Sequence, residues 1–198
     1  LKDFNRCLSE YSVDELKTLG IASGETISLE YLSGISVRGT LRESLADPIT
    51  GALREGDAQL LKFHGSYQQD NRENRRKGAE KDWQMMLRLR NPGGRVPGPL
   101  FLAIDELADR LGNGSLRVTT RQAFQLHGII KKNLKTTIRK INDSLMDTIA
   151  ACGDVNRNVM CNPNPNQSKL HAEALEMAKA ISAHLTPATR AYHEIWLT

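Results

Sequence analysis

Cysteine is scarce in this chain, and its spacing is uninformative for metal or disulfide chemistry. Cys7, Cys152 and Cys161 are all there are, and no CxxC occurs. That argues against a disulfide framework and against a self-contained zinc site, and points to a reducing compartment. Long apolar runs are also missing, so nothing approaches the length that spans a bilayer. The opening residues Leu1-Lys2-Asp3-Phe4-Asn5-Arg6 lack the pattern of a secretory signal. Neither sign of charge dominates strongly. A net charge of +4 makes the chain mildly basic, which suits an anionic ligand without naming one. The chain starts on Leu1 rather than Met and stops just after a helix-like segment, so it is expected to be part of a longer protein.

What is present is a mixed composition with 25% charged and 39% hydrophobic residues over 198 positions, enough to bury a real core. The most regular stretch is Gly114 to Ile130. Leu116, Val118, Phe124 and Leu126 alternate with Arg117, Thr119, Arg121, Gln125 and His127. This period predicts two short strands with a tight connection, one apolar face and one cationic, hydrogen-bonding face.

Around it, Met85, Leu87 and Leu89 alternate with Arg88 and Arg90, a strand of the same kind ended by Asn91-Pro92-Gly93-Gly94. Pro99 opens a helix whose stripe is Leu100, Ile104, Leu107, Ala108 and Leu111, stopped by Gly112. A second helix carries Leu134, Ile138, Ile141 and Leu145. Residues 84–147 therefore read strand–helix–strand–strand–helix, an α+β ferredoxin-like half-domain with both helices on one side of an antiparallel sheet.

Elsewhere the signals are weaker. Val13 to Leu19 has helical character, residues 38–58 are turn-rich, and Leu60 to Gly65 is a strand candidate. Glu73 to Asp82 is a charge run read as a solvated loop. Leu170, Ala174, Met177, Ile181 and Leu185 mark a last helix, with Met177 expected in the core. The chain divides as a wrapping segment 1–61, the half-domain 62–148, and the start of a further α+β domain from 149 to 198.

The polar sheet face gathers Arg88, Arg90, Arg117, Thr119, Arg121, Gln125 and His127. Guanidinium forks suit carboxylates and oxyanions and stay charged at any working pH. The readings are a solvated face, a seat for a polyanionic cofactor or small oxyanion, or an RNA-binding ferredoxin-like module. RNA-binding sheets stack bases on open-face aromatic rings, and this face offers only His127, so nucleic acid is not expected as a partner.

Several longer motifs resemble the sirohaem-containing sulfite and nitrite reductase haemoprotein family. They are Thr119-Thr120-Arg121-Gln122-Ala123-Phe124-Gln125-Leu126-His127-Gly128, Phe63-His64-Gly65, Tyr67-Gln68-Gln69-Asp70, Met86-Leu87-Arg88-Leu89-Arg90 with Pro92-Gly93-Gly94, and Asp154-Val155-Asn156-Arg157-Asn158-Val159. Ala123-Phe124, His127 and Val159 fit the sulfite branch better than nitrite reductase, which is the alternative.

The resemblance implies six-electron reduction of sulfite to sulfide at sirohaem, coupled to a four-iron four-sulfur cluster. It implies that Lys62, Arg88, Arg117, Thr119, Arg121, Gln125, His127 and Arg157 contact the cofactor. Arg88 and Arg157 match the arginines that bind sulfite. Asp105 to Asp109 and Ala151 to Asp154 resemble the ferredoxin-dependent type, making ferredoxin the expected donor ahead of an NADPH flavoprotein. The expected setting is the cytoplasm, or the plastid stroma of a eukaryote.

None of the three cysteines matches the family's cluster ligands, and no metal ligand is assigned here. The cluster ligands and the remaining substrate lysines are expected beyond Thr198, so the isolated chain is predicted inactive. Extra residues precede Arg38 relative to the family pattern, and no role is carried onto it.

Overall fold

Alternation governs the middle of the chain in the computed structural model, which describes residues 40–144, 146–152 and 156–187. The calls on Val13–Leu19, Arg38, Cys7, Leu145 and Asp154 lie outside those residues.

Four strands form one antiparallel sheet: β1 Ser66–Asp70, β2 Trp83–Arg88, β3 Leu116–Val118 and β4 Phe124–Ile129, in the order β1-β2-β4-β3. Helix α3 (Gly98–Leu111) connects β2 to β3, and helix α4 (Lys131–Asp143) follows β4. The strand β4 inserts between β2 and β3, which is the split arrangement of a ferredoxin-like half-domain. The inward residues of the two central strands, β2 and β4, are apolar. Met85, Leu87 and Leu89 from the β2 segment and Phe124, Leu126 and Ile129 from β4 meet Ile104 and Leu107 of α3 and Leu134, Ile138 and Ile141 of α4. Burying each such side chain contributes roughly 1.5–3 kcal/mol.

One irregularity sets the register. Strict alternation would turn Gly128 inward, yet Ile129 is the buried residue. Between the pairs Leu87↔Leu126 and Met85↔Ile129 the register shifts, and Gly128 sits there at φ 76°. The bulge returns Ile129 to the core.

Two stretches depart from the sequence expectation. Leu60 to Gly65 is not a strand: Glu55–Lys62 forms helix α2, preceded by α1 (Leu41–Ala46) within the segment expected to be turns. Leu61 and Leu41 are fully buried in the core, and Asp57 accepts hydrogen bonds from Thr40 and Ser44, tying the two short helices together. Ser66–Asp70, too polar to read as a strand, is the edge strand β1, paired to β2 along its whole length.

Two side chains also differ from expectation. Val118, on the edge strand β3, is 73% exposed rather than inward. In the last helix, α5 (Lys169–Leu185), Met177 is exposed and Leu175 and Ala178 are buried instead. This helix packs on the 3-10 turn Pro92–Gly94, so its buried side is set by that turn and not by its widest apolar stripe.

Candidate functional site

The face of the sheet opposite α3 and α4 is built by pairing. Arg88 lies across from Gln125, and Arg117 lies across from Gln125 on the other flank, so all three share that face. Tyr67 pairs with Met86 and joins them. Its ring lies 5.6 Å from the Arg88 guanidinium. The face therefore carries an aromatic ring besides His127, supplied by β1, a strand its polar sequence does not mark. No carboxylate stands among the strand residues of this face, Tyr67, Gln69, Gln84, Met86, Arg88, Arg117, Gln125 and His127.

Arg88 is held from several sides. The Gln125 amide is oriented with its oxygen toward the guanidinium, since the opposite orientation sets donor against donor. That oxygen accepts from Arg88 Nε at 2.7 Å and Nη2 at 3.2 Å, and the amide nitrogen donates to His127 Nε2 at 3.3 Å. Arg88 Nη1 also donates to Cys152 Sγ at 3.1 Å. His127 Nε2 is then an acceptor, which places the ring proton on Nδ1. Burial holds His127 below the ordinary histidine range, and the charges of Arg117 and Arg88 push it the same way.

Arg121 sits at the turn that closes β3 and β4. Its Nε and Nη2 donate to the Asn158 carbonyl at 3.3 and 2.9 Å. Thr119 shapes the same turn, its hydroxyl accepting from the N–H groups of Arg121 and Ala123, both at 3.2 Å. Arg157 is exposed on the segment that Asn158 anchors. Lys62 is half-buried on the last turn of α2, shortly before Gly65, whose carbonyl accepts the Arg88 N–H at 2.8 Å. Arg90 does not join the open face: it pairs with Asp147 at 3.2 Å and donates to Thr186 at 2.7 Å.

So the structure gathers Arg88, Arg117, Gln125 and His127 on one surface, with Thr119 and Arg121 at its end. Lys62 and Arg157 lie on adjoining segments. Tyr67, Gln122, Cys152 and Asn158 were not foreseen as site residues. Ser66–Asp70 holds one aromatic residue among polar ones and no alternation, so the sequence carries no strand signal for Tyr67. The others act through tertiary contacts that leave no local pattern.

Residues 78–144 match the nitrite/sulfite reductase ferredoxin-like half domain. The "Sulfite reductase [NADPH] hemoprotein beta-component" of Staphylococcus haemolyticus is 54% identical over 176 residues, covering 86% of this chain and 31% of that protein. The protein of the same name from Oceanobacillus iheyensis is 58% identical over 165 residues, covering 81% of this chain and 29% of that protein. The chain belongs to the sulfite and nitrite reductase haemoprotein family. It spans about a third of the length of these family members, at 31% and 29%. The family's fold recurs in the solved structure of the Mycobacterium tuberculosis NirA protein, with a TM-score of 0.54 and 21% identity over 75% of this chain and 30% of that one.

Proposed function

We propose that this chain is the N-terminal part of an assimilatory sulfite reductase, contributing part of the sirohaem seat and part of the sulfite site. The observation that carries this reading is the open sheet face, where Arg88, Arg117, Gln125 and His127 converge with no carboxylate among the strand residues that share it. The donor set fits a polycarboxylate macrocycle: two guanidinium groups, an amide and an imidazole whose environment disfavours a proton until negative charge arrives. The high identity to proteins named sulfite reductase supports the same reading.

When bound, sirohaem with its four-iron four-sulfur cluster would relay electrons from the donor protein for six-electron reduction of sulfite to sulfide. The residues here supply position and charge. Arg117, Arg121 and Lys62 hold carboxylates, and Thr119, Gln125 and His127 line the macrocycle. Arg88 and Arg157 hold the sulfite oxygens and stabilise their charge as S–O bonds weaken. Gln125, Cys152 and the Tyr67 ring fix the orientation of Arg88, so it reaches the oxyanion with little reorganisation. The half-domain spans 62–148, with a wrapping segment before it and the start of a further domain after it.

The relatives' names carry NADPH, so the preference for ferredoxin drawn from Asp105–Asp109 and Ala151–Asp154 has no support. An NADPH-fed flavoprotein is the donor that fits. No helix among the described residues is long and apolar enough to cross a membrane. The cytoplasm is the setting that fits NADPH supply.

The test is a pair of variants in the full-length protein. Arg121→Ala lowers the sirohaem content per chain, whereas Arg157→Ala keeps sirohaem and weakens sulfite binding. Normal cofactor content and normal sulfite affinity in both variants would remove this assignment of the face.

A further inference from the structure

Asn158 is completely buried and uses its side chain entirely on backbone. Its Oδ1 accepts the Asn91 N–H at 2.8 Å. Its Nδ2 donates to the Asn91 carbonyl at 2.9 Å and to the Arg121 carbonyl at 2.8 Å. Its own carbonyl receives the Arg121 guanidinium. One residue thus joins the exit of β2, the β3–β4 turn and the segment that carries Arg157.

A second clamp acts on the same segment. Gln122 Nε2 donates to the Cys161 carbonyl at 2.6 Å, and its Oε1 accepts the Cys161 N–H at 3.3 Å. Gln122 holds this pose at φ 58°, in the left-handed region that a non-glycine side chain strains to occupy. Beside it, a Cβ on Gly94 would stand 2.9 Å from the Gln122 Cβ. The turn, the Pro92–Gly94 loop and the 156–161 segment are therefore interlocked, with a strained residue at the contact.

We propose that Asn158 is a positioning residue. It presents a carbonyl that engages the Nε and Nη2 edge of Arg121, so the remaining N–H groups of that guanidinium are offered to an anion in one fixed orientation. The Gln122–Cys161 clamp keeps that carbonyl in place. This inference rests on the reading of Arg121 as a sirohaem-carboxylate contact and adds the device that orients it. The arrangement explains why a buried asparagine with no exposed atom stands immediately beside a substrate arginine.

The test is a double-mutant cycle in the full-length protein, read as sirohaem retained per chain, with hydrogen–deuterium exchange of the 156–161 peptide in the apoprotein as a second readout. Asn158→Asp is isosteric and keeps the acceptor but loses both donated bonds. Gln122→Gly relieves the backbone strain and removes only the clamp. Each is expected to raise exchange in that peptide without raising it in α3. Each weakens the hold on sirohaem roughly tenfold, the scale on which supporting contacts around a cofactor ligand act. In an Arg121→Ala background neither substitution costs anything further, because both act through Arg121.

Additive losses in that background, or wild-type retention in Asn158→Asp, would overturn the inference. If Asn158→Asp is too unstable to purify, the same two outcomes are read from Gln122→Gly. Wild-type retention in Arg121→Ala alone would instead remove the sirohaem reading, and this inference with it.

Discussion

At Arg88 three kinds of contact converge: an aromatic face, an amide oxygen and a thiol. None is a carboxylate, so among the described residues the charge of Arg88 is oriented without being neutralised. Arg90, two positions on in the same alternation, is neutralised by Asp147. The sequence pattern made these arginines look equivalent, and tertiary contact separates them.

His127 reports on the same field. Its proton affinity is lowered by burial first, then by Arg117 and Arg88. Because the folded value lies below the unfolded one of about 6.5, the unfolded chain takes up the proton first as pH falls. The apoprotein therefore holds its full stability above that range and loses some as pH drops through it. Thermal unfolding between about pH 5 and 7.5 should show this slope, and His127→Gln should reduce it. Binding a polyanion restores the proton affinity of His127, so sirohaem binding is expected to draw in a proton at the acid end of that range.

On the scale of elements, patterning was most legible where one face is buried and least where contacts are long-range. The strands carrying Met85, Leu87, Phe124 and Leu126, and both covering helices, followed from period alone. Ser66–Asp70 hid because an edge strand needs little apolar character once its neighbour is in place. Leu60–Gly65 misled because two adjacent leucines suit a strand or a helix equally. The side-chain hydrogen bonds of Thr40 and Ser44 to Asp57 join residues too far apart in sequence to resolve that ambiguity.

The bulge at Gly128 was likewise invisible, although it decides which way Ile129 points. A methyl group there would lie 2.6 Å from Asn113 Cβ and 2.9 Å from its backbone nitrogen, at φ 76°. Gly128→Ala is expected to cost about 2–4 kcal/mol, combining left-handed strain with a backbone clash. Chemical denaturation measures it, and a loss under about 0.5 kcal/mol would show that the bulge relaxes freely. Helix α5 completes the picture at this scale. Leu170, Met177, Ile181 and Leu185 are exposed along it, and only Leu175, Ala178 and Ser182 are buried.

Across the whole molecule, the two faces of one sheet divide the labour. The apolar face supplies the stability that lets the other collect like charges, an arrangement that repels itself until an anion arrives. The chain spans 29–31% of the length of its relatives. The cationic face is legible because strand periodicity fixes which side chains share a face. The Asn158 and Gln122 clamps are not, because they join positions 37 to 67 residues apart.

The most direct test of the account is the sirohaem content of the full-length protein carrying Arg117→Glu. Arg117 is exposed and outside the core, so the reversal leaves the fold intact. The account predicts that the apoprotein melts no lower than wild type while most of the sirohaem absorbance per chain is lost. Wild-type sirohaem content with a carboxylate in the middle of this face would contradict it.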